Sequence, residues 1–375
     1  MSEKNLSLLE SEILSLPCIS DEKNFNDYLK KRIEAFQKHI QLFDGQVGEH
    51  IAKNRNKIDI LSQSVVEAIE ISYEGLPSKA FNKFKEGLDI CTDHLAKQKR
   101  DFSIGNKNLN FYRARIETTP IPTDEMFHIR FENRHLIKTK RYSIPGLPCL
   151  YLSDSIYTCW VELGMPKLET FQVSRLDLDY RFLNISITQE MLTILYKATV
   201  EKEMKEDSFN DWVLDFLIKW PLSMACYVKA EHNVADFKPE YVIPQMLMEW
   251  IRLTEDLDGI KYFSTRSYFE IEKCSLGRFN NYAIPIKKVM NQGLCPQLVY
   301  DIKITEPLTW NSTISAYPEI KEKIFEKSEM IERMHYDPSI VFLHEKGQKH
   351  ERYINTHFAK MEYALQKMEA KRIVQ

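Results

Sequence analysis

Between Arg141 and Gly164 the chain reads RYSIPGLPCLYLSDSIYTCWVELG, a short stretch holding the residue types a polar reaction centre needs. Arg141 supplies a guanidinium, which grips oxyanions through paired N–H donors where lysine offers a point charge. Tyr151 adds a hydroxyl-bearing ring within an apolar run. Glu162 is the oddity, a carboxylate set among Trp160, Val161 and Leu163. A charge in such company needs a partner or a chemical task, because apolar surroundings penalise it.

Local elements must position these groups. Pro145-Gly146 reads as a turn, since proline fixes its own φ and glycine accepts a positive one. Leu147 to Leu152 is short and apolar, which suits a buried strand. Ser153, Asp154 and Ser155 are N-cap types, and Ile156 to Leu163 continues as a helix with Glu162 about two turns in.

The 375-residue chain is long enough for two domains, or one large domain with appendages. Hydrophobic content of 43% and aromatic content of 11% are globular values, and a net charge of −3 argues against a general polyanion binder. The 7 cysteines are scattered without paired metal-ligand spacing, so reduced thiols are expected. No basic-then-apolar leader and no bilayer-length apolar run is evident, and the expected location is the cytoplasm.

Three amphipathic stripes open the chain. Leu29, Ile33, Phe36, Ile40 and Phe43 share one helix face, with Gly45 and Gly48 expected to end that helix. Ile58, Leu61, Val65 and Ile69 form a second stripe. Phe81, Phe84, Leu88, Cys91 and Leu95 form a third, with Ser78 as its cap. A small helical bundle follows from them. The basic cluster Lys97, Lys99 and Arg100 leads to a boundary, after which β-like runs appear: 111–116, the strand before Tyr151, 171–178, 260–264, 282–286 and 298–304. Helices are expected at 211–228, interrupted at Pro221, and at 245–252, just after Pro244. Short strands mixed with helices give an α+β body, and charged helices at 319–334 and 350–372 close the chain. The divisions are a helical region at 1–105, the α+β domain at 106–312 and a helical extension at 313–375.

Four pieces then occur in order. They are Tyr112-Arg113, Arg141 before the Pro-Gly turn, Tyr151 followed eleven positions later by Glu162, and Tyr262-Phe263-Ser264 in DGIKYFSTR. Together they resemble the RES family, named for its Arg, Glu and Ser signature, whose best-known members are bacterial toxins that destroy NAD under control of an antitoxin. The resemblance spans roughly Phe111 to Ile286, with EYVIPQMLMEWI (Glu240 to Ile251) and NNYAIPI (Asn280 to Ile286) in support. It implies a fold similar to ADP-ribosyltransferase toxins, an α+β body with NAD in a central cleft.

The resemblance also implies roles. NAD is the substrate, and no metal is expected. Cleavage of the nicotinamide–ribose bond passes through an oxocarbenium-like ribose, as glycoside cleavage does. Arg113 and Arg141 match the family's arginines and would hold the pyrophosphate. Tyr151 would stack on a ring or bond a ribose hydroxyl. Glu162, kept ionised by the arginines, would hold ribose hydroxyls and favour the developing positive charge. Ser264 would place one orienting hydrogen bond near the nicotinamide ribose. Arg113, Glu162 and Ser264 are thus the catalytic set, and with Arg141 and Tyr151 the NAD-binding set. None is a nucleophile, so attack comes from water, phosphate or an acceptor side chain.

Alternatives stand beside these assignments. Arg115 shares the strand face of Arg113 and competes for the first arginine, as Thr265 and Ser267 compete with Ser264. A tyrosine in an apolar strand is commonly core, and Glu162 could face solvent. Arg134, His135, Lys138 and Lys140 read as a solvated loop. The implied function is an NAD glycohydrolase or phosphorylase acting as a toxin or defence effector. Protein ADP-ribosyltransferase is the first alternative. A HEPN-like ribonuclease, from the Arg-then-His spacings Arg32 to His39 and Arg352 to His357, or a binding module without catalysis, is the second. Asp154, the one acidic residue between Arg141 and Glu162, reads as a helix cap, which favours a small acceptor. The long segment Leu178 to Pro239 and the terminal helices depart from compact family members. They bear on regulation, as a lid, a gate, a surface for an antitoxin or regulatory protein, or a self-association face; no membrane or nucleic acid is expected as partner.

Overall fold

The computed structural model describes residues 2–20, 24–96, 110–202, 204–229, 237–264, 280–316, 342–343, 351–353 and 356–374. The basic cluster Lys97, Lys99 and Arg100, the candidates Thr265 and Ser267, and the helix expected at 319–334 lie outside them. The fold is mixed α+β and divides into two compact units. One comprises Met1–Gln98, Thr139–Ile144 and Arg181–Ile260; the other comprises Lys99–Lys138, Pro145–Tyr180 and Lys261–Gln375.

The first unit is dominated by helices. Leu29, Ile33 and Phe36 are buried along the Phe25–His39 helix, and a 3-10 turn at Ile40–Leu42 extends it. Gly45 and Gly48 do not simply end that helix, because the next one, Gly45–Tyr73, starts there. A Cβ on Gly48 would come within 2.6 Å of the Phe43 carbonyl oxygen, so glycine permits the chain to fold back closely and re-enter a helix. The third stripe forms the Pro77–Ile90 helix. Pro77 opens it with no side-chain cap, so Ser78 does not have the capping role expected of it.

The Glu206–Cys226 helix runs through Pro221, where a break was expected. Packing overrides the missing N–H: Trp220 stacks on Phe36 at 4.4 Å between centroids, and its indole N–H donates to the Leu14 carbonyl at 3.1 Å. Lys219 and Asp215, one turn apart on this helix, form a 2.9 Å ion pair with both side chains 4% exposed. The Val242–Leu253 helix follows, with Trp250 donating to Asp89 at 2.8 Å.

The strands are β1 (Phe111–Ile116), β2 (Cys149–Ser153), β3 (Phe171–Asp177), β4 (Phe182–Asn184), β5 (Gly259–Phe263), β6 (Asn280–Pro285) and β7 (Lys303–Ile304). In the second unit, which β5 enters at Lys261, the order is β5-β6-β2-β1-β3-β7. β1 runs antiparallel to β3 from Phe111↔Leu176 to Ile116↔Phe171. β2 runs antiparallel to β6 from Cys149↔Pro285 to Ser153↔Asn281, and meets β1 at Tyr112↔Ser153. The run expected as a strand at 298–304 is mostly the Pro296–Asp301 helix, since Pro296 pre-sets a helical first turn, and only β7 is extended. Tyr112, Ile156, Cys159, Phe171, Val173 and Met361 anchor the core that backs the sheet. Met361 belongs to the His357–Lys367 helix, which packs on this body.

Candidate functional site

Glu162 is the last residue of the Ile156–Glu162 helix, which leaves β2 through Ser155. Ser155 has extended backbone, and its hydroxyl accepts from the Thr158 N–H at 3.1 Å, so Ser155 is the cap. Asp154 is not. Its carboxylate instead accepts from the backbone N–H and the side-chain amide of Asn280, each at 2.8 Å, because β6 presents both donors beside it. The helix stops when Gly164 takes a φ of 83°, a left-handed conformation that returns its N–H to the Val161 carbonyl.

At this terminus the Glu162 Oε1 accepts from the Ser264 hydroxyl at 2.6 Å and from the Asn281 amide at 2.7 Å. Ser264 follows β5 and is 8% exposed; Asn281 lies on β6 and is 3% exposed. The Asn281 carbonyl oxygen accepts from the Ser153 hydroxyl at 2.7 Å, which fixes which end of the amide faces Glu162. A hydrogen-bonded line therefore runs from Ser153 through Asn281 to Glu162 and Ser264. Asn281 was not picked out as a site residue. Its signal was the polar pair opening NNYAIPI, where a strand interior would normally be apolar.

Arg113 lies on β1 and donates to the Tyr151 carbonyl at 2.9 Å. Its Nε is buried with no hydrogen-bond partner, and no ion pair among the described residues engages it. Burial, with the Arg115 charge adding, pushes its pKa down to about 10. Arg115 donates to the Phe127 carbonyl at 3.3 Å and also keeps a buried, unpartnered Nε. Burial raises the Tyr151 hydroxyl well above its ordinary value, with Cys149 and Tyr262 nearby, so Tyr151 is a neutral group.

Arg141 belongs to the first unit. There its guanidinium donates to the Cys226 carbonyl at 2.9 Å and the Glu240 carbonyl at 3.4 Å, and lies 5.1 Å from the centroid of the Tyr241 ring. Among the described residues the structure joins Glu162 to Ser264 and Arg113 to the Tyr151 backbone. Arg134, His135, Lys138 and Lys140 are exposed, but the first two belong to a 3-10 helix, Phe131–Leu136, rather than to a loop.

Several other polar groups are held by burial or packing. Burial pushes the Cys149 and Cys159 thiols up to about 12. His128 is 2% exposed; it donates to the Ile129 carbonyl at 2.8 Å and accepts from the Cys295 N–H at 2.9 Å, with burial lowering its pKa to about 4. Arg32 donates to the Ile13 carbonyl at 2.9 Å and lies over Trp220, while His39 bonds the Leu8 carbonyl at 2.9 Å, so this Arg-His pair is spent on packing. No cluster suited to a metal ion occurs among the described residues, nor any helix long and apolar enough to cross a membrane.

The chain is similar to a Bacillus subtilis (strain 168) protein named "Putative toxin YopC", at 34% identity over 269 residues. The match covers 68% of this chain and 59% of that protein, so the chain spans less than two thirds of the relative's length. No family model matches the chain. No solved structure matches it either.

Proposed function

We propose that the chain is a toxin that cleaves NAD at the nicotinamide–ribose bond, on a RES-type body similar to ADP-ribosyltransferases, with water or inorganic phosphate as acceptor. The observation that carries this reading is the Glu162 carboxylate, held on one oxygen by Ser264 and Asn281 from two separate strand ends. Donors fixed before substrate arrives aim the negative charge without reorganisation, which is what an oxocarbenium-like ribose rewards. The bond between the ribose carbon and the pyridinium nitrogen breaks with its electron pair leaving on nicotinamide. That neutral leaving group needs no proton, so the step requires no general acid. A C–O bond then forms from the acceptor to the same carbon, and a proton passes to solvent.

Arg113 supports the reading from the substrate side. A buried N–H without an acceptor costs roughly 1–3 kcal/mol, and an anionic oxygen such as one of a diphosphate relieves that cost. The occupation of Asp154 by Asn280 favours a small acceptor, because that carboxylate is committed to β6. The name carried by the Bacillus subtilis relative supports the toxin role, and that role is compatible with an antitoxin partner. Incubating the purified chain with NAD, with and without phosphate, and quantifying nicotinamide is the test. Release is expected. No release under either condition rejects the reading, and labelled ADP-ribose accumulating on a protein band replaces it with protein ADP-ribosylation.

A further inference from the structure

We infer that Glu362, on the His357–Lys367 helix, is a positioning residue for Glu162 and makes the chain's C-terminal helix an integral part of the site. This inference rests on the NAD-cleaving reading for its kinetic consequence and on geometry for its structural one. The Ile156–Glu162 helix has 7 residues, a length at which an isolated helix does not hold its shape in water. Its direction must be imposed from outside, and two ends have to be held if its last residue is to be aimed.

The C-terminal end is held by the left-handed turn at Gly164 and by the Trp160 indole, which donates to the Pro166 carbonyl at 2.7 Å. The N-terminal end is held from 206 positions away along the chain. The Glu362 Oε1 accepts from the Ile156 N–H at 2.8 Å, taking one of the donors a helix start leaves without an internal partner. The Tyr353 hydroxyl donates to the same oxygen at 2.6 Å and fixes the carboxylate in turn. Glu362 is 1% exposed and Tyr353 0% exposed, so water cannot substitute for either contact.

Packing agrees with the hydrogen bonds. Phe358 lies edge-on to Tyr157 at 5.5 Å and tilted against Trp160 at 5.2 Å between centroids. Ile156 and Cys159 share one buried cluster with Met361, Ala364 and Leu365. The His357–Lys367 helix therefore grips the site helix along its side and, through Glu362, by its first N–H, while Ser264 and Asn281 receive its last carboxylate. Loosening the grip lets Glu162 swing relative to its two donors, and misplacement of about 1 Å is enough to cost a large factor in rate.

The full chain carries the test, as Glu362→Ala, Glu362→Gln and Tyr353→Phe. Amide hydrogen exchange over residues 156–162 is measured with NAD turnover and KM. Glu362→Ala is expected to speed exchange in that helix and to lower kcat by about ten- to a hundredfold, with KM changed by less than about threefold. Glu362→Gln is expected to restore most of both, since its amide oxygen still accepts from Ile156, and Tyr353→Phe to fall between. A folded Glu362→Ala chain with wild-type exchange over 156–162, or with wild-type kcat, overturns the inference. If Glu362→Ala does not fold, wild-type exchange and kcat in Tyr353→Phe overturn it equally. If the wild-type chain consumes no NAD, the functional reading falls alone, and the exchange measurement still decides for or against the grip of Glu362.

Discussion

Lys219 in the first unit and Arg113 in the second are both cations withdrawn from water, and the two units treat them differently. Lys219 has its counter-charge one helical turn away in Asp215, at 2.9 Å, and the pair is sealed in the helical core. Arg113 has one backbone carbonyl, a neighbouring arginine that repels it, and an Nε with no acceptor. A charge cancelled on the spot belongs to the scaffold. One left with an unused donor costs stability, and in the proposed reading Arg113 keeps that donor for an anionic oxygen of the substrate, so removing each should have opposite consequences.

The largest effect is expected at Lys219. Lys219→Ala leaves Asp215 buried and uncompensated and should lower unfolding free energy by about 3–5 kcal/mol in a urea titration. Replacing both residues by leucine and methionine should recover most of that loss. A single substitution costing under about 1 kcal/mol would remove the pair from the scaffold side of the comparison.

His128 gives the next effect, through pH. Its folded pKa of about 4 lies below an unfolded value of about 6.5, so the unfolded chain binds the proton first. The stability it confers is whole above about pH 6.5, falls as pH drops, and is gone near pH 4, a difference on the order of 3 kcal/mol. His128→Gln should flatten that part of the stability profile. An unchanged slope between pH 6.5 and 4 would show that other groups set it.

The smallest effect on stability, and the sharpest for function, is expected at Arg113. Arg113→Met should leave unfolding free energy within about 1 kcal/mol of wild type, or raise it, while weakening NAD binding. A loss of several kcal/mol with NAD affinity intact would make Arg113 a structural residue like Lys219.

Much of this arrangement was legible in the chain because it is local. The stripe Ile58, Leu61, Val65 and Ile69, the strand FYRARI and the short helix ending at Glu162 each follow from spacing within a few residues. Grouping Glu162 with Ser264 in one set came through resemblance rather than periodicity; the hydrogen bond from the Ser264 hydroxyl to the Glu162 Oε1 is a finding of the structure. What the sequence concealed depends on contacts far along the chain. Pro221 stays helical because Trp220 is clamped by Phe36 and Leu14. Asp154 looks like a cap until Asn280 arrives beside it, and Asn281 and Glu362 acquire meaning only when β6 and the C-terminal helix dock on the site helix.

Glu162→Gln tests the central claim most directly, because the amide keeps the shape of the side chain and removes its charge. NAD binding by calorimetry and nicotinamide release by chromatography should be measured on the same preparation. The expected result is NAD affinity within a few-fold of wild type and release lowered by about a hundredfold or more. Release at the wild-type rate from a folded Glu162→Gln chain would contradict the account.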